Sequence, residues 1–265
     1  MSPVWIREIV GALNRSRPWW WRGLNRLMPL ARWGWRVDPG NELRLEGARV
    51  PGLDVTLRGR GHRIDLAPGA VLRNVVLDLD GQGHLVRVAP GCVLNQVYIR
   101  LRGEGQRVIL GPHVRFTRGG EIWMEDQGGT LLIGEHTTIV QARLSVIEGT
   151  HLRIGAHSLF AYDIEVRTGD SHSLVDAATG QRLNPAADVD IGERVWVGAR
   201  AMLLKGSRVP HDSVVAAAAV VTRAFSQPGV VLAGHPARVL RSGIRWLPER
   251  IASTPPENAS AQGER

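Results

Sequence analysis

Cysteine, lysine and aromatic residues are scarce in this chain of 265 residues. Cys92 is the only cysteine, so no disulfide bond can form within the chain, and a reducing compartment is expected. Lys205 is the only lysine, so arginine supplies nearly all of the positive charge. Aromatic residues make up 5% of the chain, which excludes a large aromatic core. The interior is therefore expected to be built from aliphatic side chains.

Long apolar runs are also missing. No stretch reaches the roughly 18 apolar residues that a membrane-spanning helix needs, and the N-terminus lacks the apolar core and cleavage site of a signal peptide. A cytoplasmic location is therefore expected. The net charge is +8, but the excess of arginine lies mainly in residues 1–37. We therefore expect no nucleic-acid partner.

Residues 1–37 also carry six of the nine tryptophans. Their apolar residues fall on one helical face in two short segments separated by Pro18, which predicts a basic, tryptophan-rich helical segment over residues 1–40. Two interpretations remain open. The segment contacts a membrane surface, because indoles favour the headgroup boundary and guanidinium groups attract anionic lipids, or it caps the open end of the repeat that follows.

A six-residue repeat dominates the chain from Ile191 to Arg223. Neither the helical period of 3.6 nor the strand period of 2 produces it, whereas hexapeptide solenoids do. Three faces then close a coil of about 18 residues. An aliphatic residue occupies the first position of each unit, at Ile191, Val197, Leu203, Val209, Val215 and Val221. The fifth position is always small or β-branched, at Val195, Ala201, Ser207, Ser213 and Ala219. We expect Ile191 to stack on Val209, Val197 on Val215 and Leu203 on Val221.

Weaker repeats precede this stretch. Residues 41–129 repeat with a period of 22, so that Pro68–Gly69 recurs as Pro90–Gly91. This predicts divergent solenoid coils, with a separate β-sandwich-like piece as the alternative. From residue 130 to 223 the repeat is regular, and LLIGEHTTI recurs 21 residues later as LRIGAHSLF, which places His136 and His157 in a stack on the outer face. Residues 224–247 are expected to form a C-terminal cap, with a short helix beginning at 244–247, and residues 248–265 a disordered tail.

An insertion of about twenty residues, over 168–190, interrupts the regular coils. Such a loop costs chain entropy and adds nothing to the core, so it is typical of a functional segment. Of the nine histidines, only His172 lies in it. The others are expected at the surface of the divergent coils (His62, His84, His113), within repeat units (His136, His151, His157), at a corner of the hexads (His211) or in the closing motif (His235).

The hexads, the loop motif RTGDSHS and the closing VVLAGHPARVLR together resemble the hexapeptide-repeat acyltransferases. The resemblance covers roughly residues 130–241 and is closest to the acetyl-CoA-dependent O-acetyltransferases of sugars and bacterial surface polysaccharides. It implies an all-β fold, a left-handed parallel β-helix with a helical N-terminal segment and a short C-terminal extension. It also implies a homotrimer, acetyl-CoA as the acyl donor, a glycan acceptor and no metal.

The resemblance assigns roles to individual residues. His172 matches the general base that deprotonates the acceptor hydroxyl, and Asp170 and Glu165 are candidates to orient its ring. Trp196, in VWVG, matches an indole beside the acceptor and the thioester. Asn184 is placed either on the sugar or in an Asx turn.

Coenzyme A binding is implied for a second set. Small residues would admit the pantetheine arm, at Gly198, Ala199, Ala216 and Ala218, and residues near its phosphates would be Thr222, Arg223, Arg238 and Arg241. Two departures from the family pattern stand out. AAAAVV replaces GAGSVV, so Ala216 and Ala218 are expected to adopt negative φ, and Arg223 stands where lysine is usual.

Two rival functions remain. A γ-class carbonic anhydrase has the same fold, but its zinc site needs a histidine spacing that His151 and His157 do not have, and it leaves the inserted loop unexplained. A non-enzymatic scaffold would dock through residues 1–37 and would need neither GDSHS nor GHPAR. The favoured hypothesis is O-acetylation of a surface polysaccharide or its lipid-linked precursor at the cytoplasmic face of the membrane.

Overall fold

The computed structural model of the protein describes residues 35–252. The predicted N-terminal helices and most of the predicted disordered tail lie outside this range. Arg36 and Val37, at the end of the predicted helical segment, instead form a strand that pairs with residues 56–57. Within residues 35–252, no helix is long and apolar enough to cross a membrane.

Within residues 35–252, twenty-six strands form three sheets, which are parallel except at the last strand. Each complete coil contributes one strand to each sheet in turn. Sheet A consists of β1 (Arg36–Val37), β3 (Asp54–Arg60), β6 (Val76–Gln82), β9 (Val97–Glu104), β12 (Gly120–Met124), β15 (Ala142–Val146), β18 (Ile164–Arg167), β21 (Met202–Leu203) and β24 (Val220–Val221). Sheet B consists of β2 (Glu42–Leu45), β4 (Arg63–Leu66), β7 (Leu85–Val88), β10 (Arg107–Leu110), β13 (Thr130–Ile133), β16 (His151–Ile154), β19 (Val189–Ile191) and β22 (Arg208–Val209). Sheet C consists of β5 (Val71–Arg73), β8 (Val93–Asn95), β11 (Arg115–Phe116), β14 (Thr138–Ile139), β17 (Leu159–Phe160), β20 (Trp196–Val197), β23 (Val214–Val215), β25 (Val230–Gly234) and β26 (Ala237–Ser242).

The fold is therefore the predicted left-handed parallel β-helix. Residues 41–129 continue the same three sheets, with Ile64 paired to Val86, and they form no separate sandwich. The last strand, β26, runs antiparallel to β25 and ends the solenoid. The segment 244–247 that follows is extended and irregular, so the short helix expected there is wrong.

The interior is the predicted aliphatic column. Ile191 pairs with Val209, Val197 with Val215, and Leu203 with Val221. The first and fifth positions of every hexad are buried. Each inward side chain thus packs on its counterpart in the next coil, and burial of this column supplies most of the hydrophobic free energy of folding.

The fourth position of each hexad turns the chain from one sheet to the next. Its backbone is left-handed in every unit, with φ of 51° at Arg194, 61° at Arg200, 73° at Gly206, 58° at Asp212 and 58° at Ala218. Only one of these five residues is glycine. The expectation that Ala218 has negative φ is therefore wrong, because coil geometry overrides the intrinsic cost of about 1 kcal/mol for a residue with a Cβ.

A second column, of polar residues, runs inside the first coils at the edge between sheets A and B. Asn41, His62, His84 and Gln106 occupy equivalent positions in four successive coils and are all buried. The backbone N–H of His62 donates to Asn41 Oδ1, that of His84 to His62 Nδ1, and that of Gln106 to His84 Nδ1. Hence the expectation that His62 and His84 lie at the surface is wrong.

This column fixes the tautomer of both buried imidazoles. His62 Nε2 lies 2.9 Å from Arg58 O and His84 Nε2 lies 3.2 Å from Asp80 O. Because a carbonyl oxygen only accepts, Nε2 carries the proton in each ring and Nδ1 accepts from the next coil. Loss of hydration lowers the pKa of His84 to about 4, so the ring is held neutral.

The predicted stack of exposed histidines is confirmed, and it contains three rings. The His136 and His157 rings stack with centroids 5.2 Å apart, and His113 extends the stack at 4.8 Å from His136.

The buried column predicts a loss of stability in mild acid. The unfolded chain protonates histidine near pH 6.5, whereas folded His84 resists protonation down to about pH 4, so the unfolded state binds the extra proton between these values. The free energy of unfolding should therefore fall as the pH is lowered through this window. In His84→Gln this fall should be smaller, by on the order of 2 kcal/mol.

Glutamine is the matched replacement because Gln106 fills the same position one coil later and donates from Nε2 to Arg102 O at 3.2 Å. Urea unfolding of both proteins at pH 7, 5.5 and 4.5 measures the difference. Equal losses of stability in the two proteins would contradict the assignment.

Candidate active site

The inserted loop leaves the solenoid after β18 and returns at β19, so it projects from the edge between sheets A and B. Its base is closed by Ala187 N–H, which donates to Thr168 O at 2.8 Å. Its outer part is a small hairpin in which Val175 bridges Arg182. The hairpin exposes three apolar side chains, Leu174, Val175 and Leu183, by 51–61%.

Two ion pairs hold the loop between the coils on either side. Arg182 donates two hydrogen bonds to Glu148, and Lys205 donates to Asp170 Oδ2 at 2.5 Å. Hydrogen bonds from Arg182 lower the pKa of Glu148, and the bond from Lys205 lowers the pKa of Asp170. Both carboxylates are therefore charged at neutral pH, and the loop is fixed at two points.

Asn184 organises the chain around His172. Its amide nitrogen donates to Asp170 Oδ2 at 2.9 Å and to the His172 carbonyl at 2.8 Å. Its oxygen accepts from Leu174 N–H at 2.6 Å. The side chain is thus committed to shaping the loop, which is the local role that the sequence left open for it.

The His172 side chain is exposed, and its ring makes no hydrogen bond to any residue between 35 and 252. Asp170 is occupied by Lys205 and Asn184, while Glu165 pairs with Arg167 at 3.3 Å. The structure therefore brings Asp170 next to His172 in the same loop but joins neither predicted carboxylate to the imidazole. The backbone of His172 is positioned, and its ring is free to meet a ligand.

Small residues predicted for coenzyme A lie on the edge between sheets C and A. Ala218 N–H donates to Ala199 O at 2.9 Å, so these positions stack on adjacent coils, beside Gly198 and Ala216. A Cβ on Gly198 would lie 2.6 Å from Ala217 N. Glycine is therefore required at position 198 because the backbone of the next coil lies so close to it.

The residues predicted near the phosphates fall into two groups. Thr222 and Arg223 are exposed just after β24, and the Arg223 guanidinium lies 5.0 Å from the centre of the Phe225 ring. Arg238 and Arg241 are exposed on β26, at the end of sheet C. The structure places the two groups on different faces of one chain.

Trp196 lies on the outer face of sheet C and is 42% exposed. Trp246 packs against it with ring centroids 6.3 Å apart, and Trp246 Nε1–H donates to Arg194 O. Sheet C is the face opposite the edge that carries His172. One copy of the chain therefore separates the predicted base from the predicted indole.

Sequence reasoning missed the residues that anchor the loop and the partner of Trp196. Lys205 could have been singled out from the sequence, because it is the only lysine and lies on the coil that follows the insertion. Glu148, Arg182 and Trp246 could not be singled out, because their partners are 34 to 52 residues away along the chain.

Removing either anchor should loosen the loop. In Arg182→Met or Lys205→Met one carboxylate loses its counter-ion, and amide hydrogen exchange over residues 170–186 should speed up by about two- to fivefold. Because the pKa values of Glu148 and Asp170 are lowered, the stabilisation from each anchor is present above the ordinary carboxyl pKa of about 4 and is lost as the pH falls through the lowered pKa of the folded state.

Arg115→Met is the control, since Arg115 is exposed on sheet C and forms no ion pair within residues 35–252. Exchange in the loop that is the same in all three variants would show that the ion pairs do not hold it.

Comparison with known proteins finds sequence similarity between this chain and O-acetyltransferases. No protein-family profile matches it. It is 31% identical over 121 residues to the polysialic acid O-acetyltransferase of Escherichia coli O1:K1, covering 45% of this chain and 39% of the relative. It is 26% identical over 125 residues to the polysialic acid O-acetyltransferase of Neisseria meningitidis, covering 47% and 58% respectively. The chain thus spans well under two thirds of the length of these relatives.

A solved structure supports the same fold. The crystal structure of the polySia-specific acetyltransferase NeuO superposes with a TM-score of 0.65 at 22% identity, covering 83% of this chain and 92% of that one. The likeness to hexapeptide-repeat acetyltransferases that the sequence predicted is confirmed, and both matched relatives are O-acetyltransferases.

Proposed function

We propose that this protein is an acetyl-CoA-dependent O-acetyltransferase that modifies a hydroxyl group of a sugar in a surface glycan or its precursor. The observation that carries the proposal is the loop of residues 168–188. It is a large insertion in a regular solenoid and is held by ion pairs at both sides, and the His172 ring that it presents has no hydrogen-bond partner within residues 35–252. Similarity to two O-acetyltransferases supports the reaction class.

His172 would act as the general base. A sugar hydroxyl is a weak nucleophile, and an imidazole can remove its proton as the oxygen attacks the thioester carbonyl. The tetrahedral intermediate then collapses, the C–S bond breaks, and the thiolate of coenzyme A takes the proton from the His172 imidazolium, which restores the neutral base. These steps require no covalent acyl-enzyme. Their products are the acetyl ester of the sugar and free coenzyme A.

Coenzyme A fits the distribution of small and cationic residues. The edge formed by Gly198, Ala199, Ala216 and Ala218 presents little side-chain bulk to a narrow pantetheine chain. Arg238 and Arg241, exposed on β26, supply guanidinium groups for phosphates at the same end of the solenoid. Thr222 and Arg223 would contact a second coenzyme A molecule, bound against the edge between sheets A and B.

The active site would be completed by a second copy of the chain. His172 lies on the edge between sheets A and B, whereas Trp196 lies on sheet C, so the two residues meet only where two solenoids pack side by side. The exposed hairpin residues Leu174, Val175 and Leu183 give the loop an apolar surface for that contact. A closed homotrimer would place three such sites around one axis.

Residues 1–37 would set the cellular location. Their tryptophans and arginines suit the headgroup region of an anionic membrane, which would hold the enzyme beside a lipid-linked glycan at the cytoplasmic face. We propose no nucleic-acid partner and no metal.

Loss of the base should abolish most of the turnover. His172→Ala should lower kcat for acceptor-dependent thiol release from acetyl-CoA by about a hundredfold or more. His157→Ala is the control, because it removes an exposed imidazole from the outer stack without touching the loop. Unchanged turnover in His172→Ala would move the base elsewhere. Absence of both turnover and acetyl-CoA binding in the native protein would favour the scaffold.

Mixed oligomers test whether the site is shared between subunits. His172→Ala and Trp196→Ala are each expected to be impaired alone. When the two variants are co-expressed and purified as mixed trimers, one of the three interfaces in each trimer, about a third, should combine an intact His172 with an intact Trp196 from the neighbour. Turnover should recover to about that fraction of the native rate. Mixed oligomers no more active than the separate variants would contradict the shared site.

A further inference from the structure

We propose that a cleft on the edge between sheets C and A is a saccharide-binding subsite that holds sugar units of the acceptor chain beyond the one being acetylated. The cleft has a volume of about 460 Å³ and lies against β12 and β15. Its place in the reaction rests on the proposed function, whereas its capacity to bind a saccharide does not.

The cleft exists because one coil lacks a side chain where its neighbours have one. At this edge six successive coils place Asn74, Gln96, Gly119, Gln141, Asp163 and Arg200 at equivalent positions. Gly119, with a φ of 110°, lies between Gln96 and Gln141 and is the one residue of these six without a side chain. One missing side chain in an otherwise continuous row leaves a hollow with a backbone floor. The neighbouring Gly120 faces the interior, since its equivalents Val97 and Ala142 are buried.

The walls of the hollow carry polar groups that the protein itself does not use. Six side chains line it, those of Gln96, Arg118, Glu121, Gln141, Arg143 and Asp163. None of the four charged ones forms an ion pair within residues 35–252, although charged neighbours on the same sheets are paired, such as Arg58 with Asp78 and Asp80. Two guanidinium groups, two carboxylates and two amides therefore face one cavity with free hydrogen-bonding capacity.

This set of groups fits a hydroxyl-rich ligand. Carboxylates and amides accept from sugar hydroxyls, while guanidinium and amide N–H groups donate to them. The two guanidinium groups and the two carboxylates cancel in charge, so the cleft has no net positive charge to favour a phosphate-rich ligand such as a nucleotide. The volume lies within the range of about 300–1,000 Å³ that small-ligand sites occupy.

The position along the solenoid connects the cleft to the proposed transfer site. Gly198 and Ala199 lie on the same edge, one coil beyond Asp163. With adjacent strands about 4.8 Å apart, the centre of the cleft is about 10–15 Å from them along the axis. An oligosaccharide that runs along the edge could thus place one unit at the acetyl group and later units in the cleft.

Direct binding tests the cleft without requiring turnover. The probes are the tetramers of α2,8-linked sialic acid and of β1,4-linked N-acetylglucosamine, titrated by ligand-observed NMR. Gln141→Trp fills the cavity from an exposed position and Arg143→Met removes one donor, and each should weaken binding of a tetramer about tenfold. Arg153→Met, an exposed arginine on sheet B, is the control and should bind like the native protein.

His172→Ala separates the two sites, because it leaves the cleft intact and should retain tetramer binding. Binding of neither tetramer by the native protein, or equal binding by the native and cleft variants, would overturn the proposal. So would a loss of binding in His172→Ala alone.

Kinetics with acceptors of one to six units then place the cleft in the reaction. In the native protein KM should fall with acceptor length, and Gln141→Trp should remove most of that dependence. If transfer occurs but the length dependence survives in Gln141→Trp, the role as a subsite fails while the proposed function stands. If tetramers bind in the cleft but no transfer occurs, the proposed function fails and the saccharide site stands.

Discussion

The in-register stacking of one coil on the next is the constraint on which the rest of the structure depends. Because Ile191 must sit on Val209 and Val197 on Val215, every residue outside the column has its direction set by its place in the coil. The aliphatic column and the parallel ladders then determine where a side chain can leave the surface. A projecting loop or a hollow can only form where the coil template is broken, at its edges.

The same constraint explains features that are costly in isolation. A left-handed alanine at 218 and buried imidazoles at 62 and 84 would each be unfavourable in a less regular fold. Here the coil imposes the backbone at residue 218, and each imidazole is satisfied by a carbonyl in its own coil and an N–H of the next. Repetition supplies the partner, so a polar column can replace part of the apolar one.

Sequence alone could predict the β-helix, the stacking pairs, the exposed histidine stack and the loop, since each leaves a periodic signal or interrupts one. It could not predict that His62 and His84 are buried, because their partners are backbone groups that follow from coil register. Nor could it predict the Glu148–Arg182 and Trp196–Trp246 contacts, which join positions 34 and 50 residues apart. His172 could be identified from the sequence because the insertion that carries it interrupts a regular repeat. The residues that hold the loop could not be identified in this way, because each looks in the sequence like an ordinary surface residue.

The two candidate sites are opposite departures from one template. At the edge between sheets A and B the chain adds about twenty residues and raises His172 above the surface. At the edge between sheets C and A the chain lacks one side chain, at Gly119, and a cleft lies there. A solenoid has no deep interior in which to form a pocket, because its core is filled by the stacked column. Additions and deletions along its edges are therefore the means by which such a chain acquires a site, and a long glycan is the kind of ligand that can reach several of them at once.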